Sequence, residues 1–262
     1  MTASPLFSIK NCSFRYGDSE ILTELTFDLY PGKFYGLIGP NGSGKSTLIN
    51  LLMGTHLTNS GKIIFKNKPI ESYNRRCLAQ HLALVPQDIS IGFDFSVYDI
   101  VLMGRHPHIP RFQQPSGGDL KSVAEAITLL DIEGIKDRPV THLSGGEKQR
   151  VIVARALAQD TEVLMLDEAT SSLDIEHTIQ ILRILRNRVE KTGKTIIAAV
   201  HDLNLAAAFC DELLVLKNKS LCHSGPIRSV LTNELLEEVF SVKGKVCYND
   251  EHPRIEYQML SS

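Results

Sequence analysis

Residues Gly39–Thr47 read GPNGSGKST, and this stretch decides the fold. It matches the pattern G-x-x-x-x-G-K-[S/T], follows the apolar run Tyr35–Ile38 and opens the apolar segment STLINLLMG. A strand, a glycine-rich turn and a helix in this order make a phosphate cradle, because glycine allows a close backbone approach and a helix N-terminus attracts anions. The sequence therefore predicts a phosphate-binding turn between a strand and a helix.

Two side chains of this turn carry chemistry. Lys45 supplies a point charge for the phosphates, and the Ser46 hydroxyl is a Mg²⁺ ligand. The other positions contribute shape and, except for Pro40, backbone N–H groups to the nucleotide site: Gly39, Pro40, Asn41, Gly42, Ser43, Gly44 and Thr47. The alternative interpretation, a glycine-rich turn beside a surface lysine, is disfavoured by the strand before the turn and the helix after it.

A second apolar run, VLMLDE at Val163–Glu168, ends in two carboxylates. Successive side chains of a strand point to opposite sides, so Asp167 and Glu168 cannot have the same role. An acid at this strand end holds Mg²⁺ in phosphoryl-transfer enzymes of this type. We assign Asp167 to the metal and Glu168 to polarising the attacking water, although the pattern alone is equally typical of a solvated strand end.

A third segment, LSGGEKQR at Leu143–Arg150, has the features of a second anion site. Ser144 and Glu147 have capping-box spacing, and Gly145 and Gly146 stand at the start of the predicted helix. One nucleotide rarely needs two phosphate cradles, so we expect this one to serve a nucleotide held by another copy. Taken alone, a glycine-rich helix start is more often structural.

The periodicity of apolar residues predicts both strands and helices. Alternating residues indicate antiparallel strands, and short unbroken runs indicate strands buried on both faces of a parallel sheet. The antiparallel set contains Phe7, Ile9, Leu25, Phe27, Leu29 and Ile63–Phe65, and the parallel set contains Tyr35–Ile38, Val163–Leu166 and Thr195–Val200. The last residues, in VCYND and RIEYQML, are candidates for edge strands.

Helical spacing dominates residues 88–160 and returns after Asp174. Ser96 and Asp99 cap one predicted helix, which Gly104 ends. Two predicted apolar faces consist of Leu120, Val123, Ala124, Ile127 and Leu130, and of Ile175, Ile179, Leu182, Leu185 and Val189.

Composition and charge argue against several classes of protein. The chain has 28 Lys+Arg against 30 Asp+Glu, a net charge of 28 − 30 = −2, so no basic excess favours nucleic-acid binding. Apolar runs fall far short of the roughly 20 residues that cross a bilayer, and the N-terminus lacks a readable secretory signal. The 5 cysteines never occur as CxxC, which favours reduced thiols over disulfides or a zinc site.

These segments resemble the ATP-binding subunits of ABC transporters, over nearly the whole chain. Besides the Walker A, signature and Walker B segments, Gln87 in LVPQD matches the Q-loop, Ser171–Asp174 (SSLD) the D-loop and His201 in AAVHD the switch histidine. Tyr16 in FRYGD stands where the family stacks an aromatic ring on adenine. Two departures are Ala169, where many importers have proline, and Glu147, where glutamine is commonest.

The resemblance implies an α/β fold: a P-loop NTPase core with a parallel sheet, an antiparallel β subdomain and an inserted α-helical subdomain. The whole chain, 1–262, would be one ABC ATPase domain, with the helical subdomain at about 88–160 and a C-terminal extension at about 241–262. Two copies would close head to tail over two MgATP. One copy would contribute Lys45, Ser46, Gln87, Asp167, Glu168 and His201 to each nucleotide, and the other Ser144, Gly145 and Gly146.

The resemblance also implies roles. Lys45, Glu168, His201 and Gln87 would be catalytic. Ser46, Gln87 and Asp167 would hold Mg²⁺, and Asp174 would couple the two sites across the interface.

The segment Ile91–Phe112 resembles the corresponding region of the ATP-binding subunits that energise import of ferric siderophores, haem and cobalamin. The implied partners are integral membrane permease subunits and, indirectly, a substrate-binding protein, at the cytoplasmic face of the inner membrane. The alternatives are an exporter or lipoprotein-release ATPase and a soluble ABC ATPase of DNA repair, chromosome structure or translation. His106 and His108 are interpreted as loop residues because no third metal ligand has usable spacing.

A cluster of large side chains follows the Q-loop: Phe93, Phe95, Val97 and Tyr98. One interpretation is a packed loop in the core of the helical subdomain. The other is a groove that receives a short helix of the membrane subunit, with aromatic anchors.

Overall fold

The structure, a computed structural model, describes residues 4–87, 92–169, 173–248 and 252–258. In chain order its strands and helices are β1 Phe7–Tyr16, β2 Ser19–Leu29, β3 Phe34–Ile38, α1 Lys45–Leu52, β4 Ser60–Phe65, β5 Lys68–Pro69, α2 Arg75–His81, β6 Leu82–Val85, α3 Val97–Met103, α4 Gly117–Leu129, α5 Gly145–Ala158, β7 Val163–Asp167, α6 Ile175–Thr192, β8 Thr195–Ala199, α7 Leu203–Phe209, β9 Glu212–Lys217, β10 Ser220–Pro226, α8 Ile227–Val230, α9 Asn233–Phe240, β11 Gly244–Tyr248 and β12 Pro253–Tyr257.

The chain divides into two units. The first contains Met1–Tyr73 and Thr195–Ser262, and the second contains Asn74–Lys194. The range expected for the helical subdomain, about 88–160, falls within the range of the second unit. Residues 88–91 of that range lie outside the described residues, as do Ser171 and Ser172 of the predicted D-loop.

The first unit contains an antiparallel sheet in the order β2-β1-β4-β5, as the alternating pattern predicts. It also contains parallel pairs of β3 with β8 and with β9, and β10 lies antiparallel to β9. Every residue of β3 and β8 is buried, which explains their unbroken apolar sequence. The predicted α/β fold class, with parallel and antiparallel sheets and added helices, is confirmed.

The end of the chain folds differently from the predicted edge strands. β11 and β12 form a separate two-stranded antiparallel sheet. The Asn204 side chain in α7 bonds both the N–H and the carbonyl of Ile255, at 2.8 and 3.4 Å. The hairpin therefore lies against α7 instead of extending a larger sheet.

The second unit contains the parallel pair β6 and β7 and helices α2–α6. Ser96 and Asp99 form the predicted capping box of α3, and Gly104 ends that helix. The predicted face of α4 is partly wrong: Leu120 and Ala124 are exposed, whereas Asp119 is buried. The reason is that the capping box with Ser116 and a hydrogen bond from the buried Arg105 orient the first turn of α4 so that Asp119 points inward.

The predicted face of α6 is also partly wrong. Ile175 is 62% exposed because it follows the N-cap, at the first position of the helix, while Leu182, Leu185 and Val189 are buried as predicted. Over the ranges that the structure describes, no helix is both long and apolar enough to cross a membrane.

Candidate nucleotide site

The turn between β3 and α1 has a backbone that only glycine accommodates at two positions. Gly39 has φ 152°, and a Cβ there would lie 2.2 Å from the Leu216 carbonyl oxygen. Gly44 has φ 101°, and a Cβ there would lie 2.5 Å from Leu22 Cδ2. The glycines of the sequence motif are therefore required by this turn even before a ligand is considered.

Lys45 is buried within this turn. Its Nζ donates hydrogen bonds to the Gly39 and Pro40 carbonyl oxygens, at 3.1 and 3.3 Å. The Ser43 hydroxyl is buried and has no hydrogen-bond partner among the described residues. A buried ammonium group, an unsatisfied hydroxyl and a first helical turn without an acidic residue fit a phosphate group.

The same turn fits a magnesium ion brought by a nucleotide. Mg²⁺ usually takes one or two protein ligands and completes its shell with water and phosphate oxygens. Ser46, in the first turn of α1, provides a hydroxyl of this kind. The described part of the chain contains no group of three or more His, Cys, Asp or Glu that could hold a metal by itself.

His201 is brought to the same edge of the sheet as the phosphate turn. In the parallel pair of β3 and β8, Leu37 is opposite Ala199. Gly39 and His201 each stand two residues further along the chain, so both lie beyond the carboxyl ends of these two strands. Neighbouring strands are about 4.8 Å apart, which brings the two residues close to each other. His201 is exposed, and Asp202 after it caps α7.

Tyr16 lies at the end of β1, where it pairs with Ser19. The following strand, β2, contacts the turn at Gly44, where an added Cβ would lie 3.3 Å from the Ile21 carbonyl oxygen. The Tyr16 ring is 48% exposed, and its hydroxyl lies 3.1 Å from His56 Nε2. The first unit thus presents an accessible aromatic ring on a hairpin that contacts the phosphate turn.

In the second unit, Asp167 ends β7, and Glu168 follows it with φ 50°. A left-handed conformation costs a non-glycine residue free energy and is often found at functional sites. Val85 is opposite Leu166 in the parallel pair of β6 and β7. Gln87 and Glu168 therefore leave the same edge of the sheet, two residues after these paired positions.

The segment Ser144–Glu147 forms the predicted capping box at the start of α5. Glu147 Oε2 accepts hydrogen bonds from the Ser144 N–H and hydroxyl, both at 2.8 Å. The Ser144 N–H, more than any other group, lowers the pKa of Glu147, which is therefore ionised at neutral pH. Ser144 and Gly145 are exposed, and Gly145 has open space around its Cβ position.

Asp174 has a structural role that the sequence motif does not reveal. It caps α6 by accepting a hydrogen bond from the His177 N–H at 2.9 Å, and the His177 ring lies 2.8 Å away. These bonds lower the pKa of Asp174, first of all the one from the His177 backbone. Asp174 is exposed, so a further role at an interface stays a prediction.

His106 and His108 do not share a site. His106 is exposed, whereas His108 Nε2 lies 2.8 Å from the Gln159 carbonyl oxygen and fixes the loop after α3.

Two residues near the candidate site escaped the sequence analysis. His56 contacts Tyr16 across 40 residues, and Gln149 contacts the backbone after Glu168 across 20 residues. His56 gives no periodic signal. Gln149 stands among the polar residues Glu147, Lys148 and Arg150, so no sequence pattern distinguished it.

The comparisons with known proteins all find ABC transporters or their ATP-binding proteins. The family model described as ABC transporter matches residues 22–171. A cobalamin import ATP-binding protein of Halobacterium salinarum is 38% identical over 86% of this chain, which spans only 56% of that relative's length. A hemin import ATP-binding protein of Rhodococcus jostii is 37% identical over 90% of this chain and 79% of its own. A solved chain from a transporter assigned to the metal-chelate type, in an inward-facing conformation, superposes with a TM-score of 0.83 at 31% identity, covering 98% of both chains.

Proposed function

Since the chain belongs to the ABC transporter family, we propose that it is the ATP-hydrolysing subunit of an importer that takes up a metal chelate through a separate membrane permease. The observation that carries the proposal is the phosphate turn, in which a buried lysine and an unsatisfied serine hydroxyl stand at a helix N-terminus. The import direction and the cargo class rest on the names of relatives, which include cobalamin and hemin import.

Catalysis in this proposal consists of positioning and charge stabilisation. Bound Mg²⁺ neutralises phosphate charge, and Ser46, Gln87 and Asp167 are the residues that would hold it. Lys45 binds the phosphates, and His201 donates a hydrogen bond to the γ-phosphate. Glu168 orients the attacking water and accepts its proton. Tyr16 stacks on the adenine ring.

The proposed active form contains two copies. Ser144, Gly145 and Gly146 of one copy would contact the nucleotide that the other copy holds. The exposure of Ser144 and Gly145 supports this assignment, because an exposed helix start is accessible to an anion. Asp174 would connect the two sites. The permease and, through it, a substrate-binding protein complete the proposed complex at the cytoplasmic face of the inner membrane.

The segment after the Q-loop supports the permease contact. Phe93 is 73% exposed and Phe95 is 40% exposed, whereas Val97 is buried. The Phe95 carbonyl oxygen accepts a hydrogen bond from the Val140 N–H at 2.9 Å, and Thr141 bonds the Asp94 carboxylate. This hydrogen-bonded segment carries two exposed aromatic side chains, an arrangement suited to anchoring a partner helix. The burial of Val97 supports the packed-core interpretation for that residue, whereas the exposure of Phe93 and Phe95 supports the docking interpretation.

The experiment that tests the function combines hydrolysis with partner identification. The chain is purified from its native cells, its membrane partner is identified, and the complex is reconstituted in vesicles with ATP inside or outside. ATP-dependent uptake of a ferric siderophore, haem or cobalamin, lost in Lys45→Ala, is the expected result. Export of cargo, or the failure of any membrane protein to co-purify with the chain, would contradict the proposal.

A further inference from the structure

The helix that carries the signature segment is joined to the turn that carries Glu168 by one buried side chain. Gln149, on the second turn of α5, is 4% exposed. Its Nε2 donates a hydrogen bond to the backbone carbonyl of Ala169. Both residues belong to the second unit.

The acceptor of this bond is the residue directly after Glu168. Ala169 is 3% exposed, so its carbonyl bond faces little competition from water. Glu168 itself has φ 50°, a conformation that persists only where its surroundings hold it. The Gln149 bond is one of the contacts that hold this backbone.

The start of α5, in the same half of the helix as Gln149, is the proposed contact for the partner's nucleotide. Ser144 caps this helix five residues before Gln149, a distance of about 7.5 Å along the axis. A Cβ at Gly146 would lie 3.5 Å from Leu173 Cδ2, so the start of α5 is also packed against the segment before Asp174. The start of α5 and the Ala169 carbonyl are therefore connected through one helix and one hydrogen bond.

We propose that Gln149 is a positioning residue for hydrolysis: it holds the backbone of Glu168 and transmits to it the position of the signature helix. When Ser144 of one copy contacts the nucleotide that the other copy holds, this contact would adjust the position of Glu168 in the copy that carries Ser144. This inference rests on the proposed function, in which Glu168 orients the attacking water.

The test compares the same substitution at two glutamines, one on the second turn of α5 and one just after its last residue. Gln149→Met keeps most of the side-chain volume and removes the donor. Gln159→Met is the matched control, because Gln159 Nε2 also donates to backbone carbonyls, those of Ala79 and Leu82, away from Glu168. Steady-state kinetics, ATP affinity and thermal melting are measured for both variants and the wild type.

We expect Gln149→Met to lower kcat by about 10- to 100-fold with little change in ATP affinity, because a small misplacement of a catalytic group is costly. Gln159→Met should shift the melting temperature to a similar extent and leave kcat within about twofold of wild type. In the Glu168→Gln background, Gln149→Met should cause no further loss of the residual rate, since its effect acts through Glu168.

Two outcomes would overturn the inference: normal kcat in Gln149→Met, or an equal loss of kcat in Gln159→Met. If Gln149→Met does not fold, Gln149→Asn, which keeps the amide and shortens its reach, is measured against the same expectations. Failure of the proposed function is distinguishable, because the wild type would then show no ATP-dependent uptake in vesicles, whereas failure of this inference leaves wild-type uptake intact.

Discussion

Arg105 Nε donates a hydrogen bond to Asp119 Oδ1 at 2.9 Å, and both side chains are buried. The guanidinium group also donates to the Ala158 carbonyl oxygen at 2.8 Å. Asp119 completes the α4 capping box by accepting a bond from the Ser116 N–H at 2.9 Å, and it also accepts one from the Ser116 hydroxyl at 2.6 Å. One ion pair therefore joins the end of α3, the start of α4 and the end of α5.

The first prediction concerns the pH dependence of stability at this ion pair. The Ser116 hydroxyl, ahead of the Arg105 guanidinium, lowers the pKa of Asp119 from 3.8 to about 2. A lowered pKa contributes stability that is present above pH about 4 and is lost as pH falls toward 2, and the amount is about 2 kcal/mol. Asp119→Asn should cost about 3 to 5 kcal/mol at neutral pH, because Arg105 stays buried without its partner.

Urea unfolding of the wild type and Asp119→Asn between pH 7 and 2 measures this difference, which should shrink below pH about 4. Glu133→Gln is the control, because the Lys136–Glu133 pair is exposed and should contribute little to the free energy of unfolding. A difference that stays constant with pH would contradict the assignment.

The second prediction concerns Glu168. Glu168→Gln should lower ATP turnover by about 10²- to 10⁴-fold and leave ATP binding largely intact, because the amide cannot accept a proton from water. Single-turnover hydrolysis and nucleotide affinity measure the two effects. Glu162→Gln, at the opposite end of β7, is the control and should hydrolyse ATP normally. Near-normal turnover by Glu168→Gln would remove it from this role.

The third prediction concerns the number of copies. Ser144→Arg and Lys45→Ala should each abolish hydrolysis, yet a mixture should regain activity, because a heterodimer contains one intact composite site. Activity per subunit of the wild type should also rise with protein concentration. Activity that stays flat down to concentrations where the protein is monomeric by sedimentation would exclude the two-copy site.

The fourth prediction separates docking from packing after the Q-loop. Phe95→Ala and Tyr98→Ala should weaken co-purification with the permease and leave the isolated subunit folded and able to bind ATP, since Phe95 is 40% exposed and Tyr98 is half-buried. Val97→Ala, at a fully buried position, should instead lower the free energy of unfolding by about 2 kcal/mol. A large loss of stability in Phe95→Ala with assembly retained would contradict the docking groove.

The fifth prediction concerns the adenine contact. Tyr16→Ala should weaken ATP binding by about 1 to 3 kcal/mol, the usual contribution of base stacking on an aromatic ring. His56→Ala should have a smaller effect of the same sign, because His56 bonds the Tyr16 hydroxyl and orients its ring. Fluorescent-nucleotide titration measures both, with Tyr257→Ala as an exposed control. An unchanged affinity in Tyr16→Ala would exclude the stacking role.

Short-range patterns in this sequence predicted structure well. The capping boxes at Ser96 and Ser144 were readable because each is a contact over three residues, and the phosphate turn was readable because glycine conformation and helix start are local. The parallel strands were recognisable from their unbroken apolar runs. Parallel pairing then places the residues after β3 and β8 at one edge of the sheet.

What the sequence determined by itself was therefore the family, the order of the elements and the chemical groups of the candidate site, since all of these depend on local spacing. Only the tertiary structure decided which side of α4 and α6 is buried, that Arg105 meets Asp119, and that Gln149 supports the backbone after Glu168. These contacts join residues 14 and 20 positions apart on separate elements. No periodic pattern specifies them, because a side chain's distant partner is set by how the elements pack and not by its neighbours in sequence.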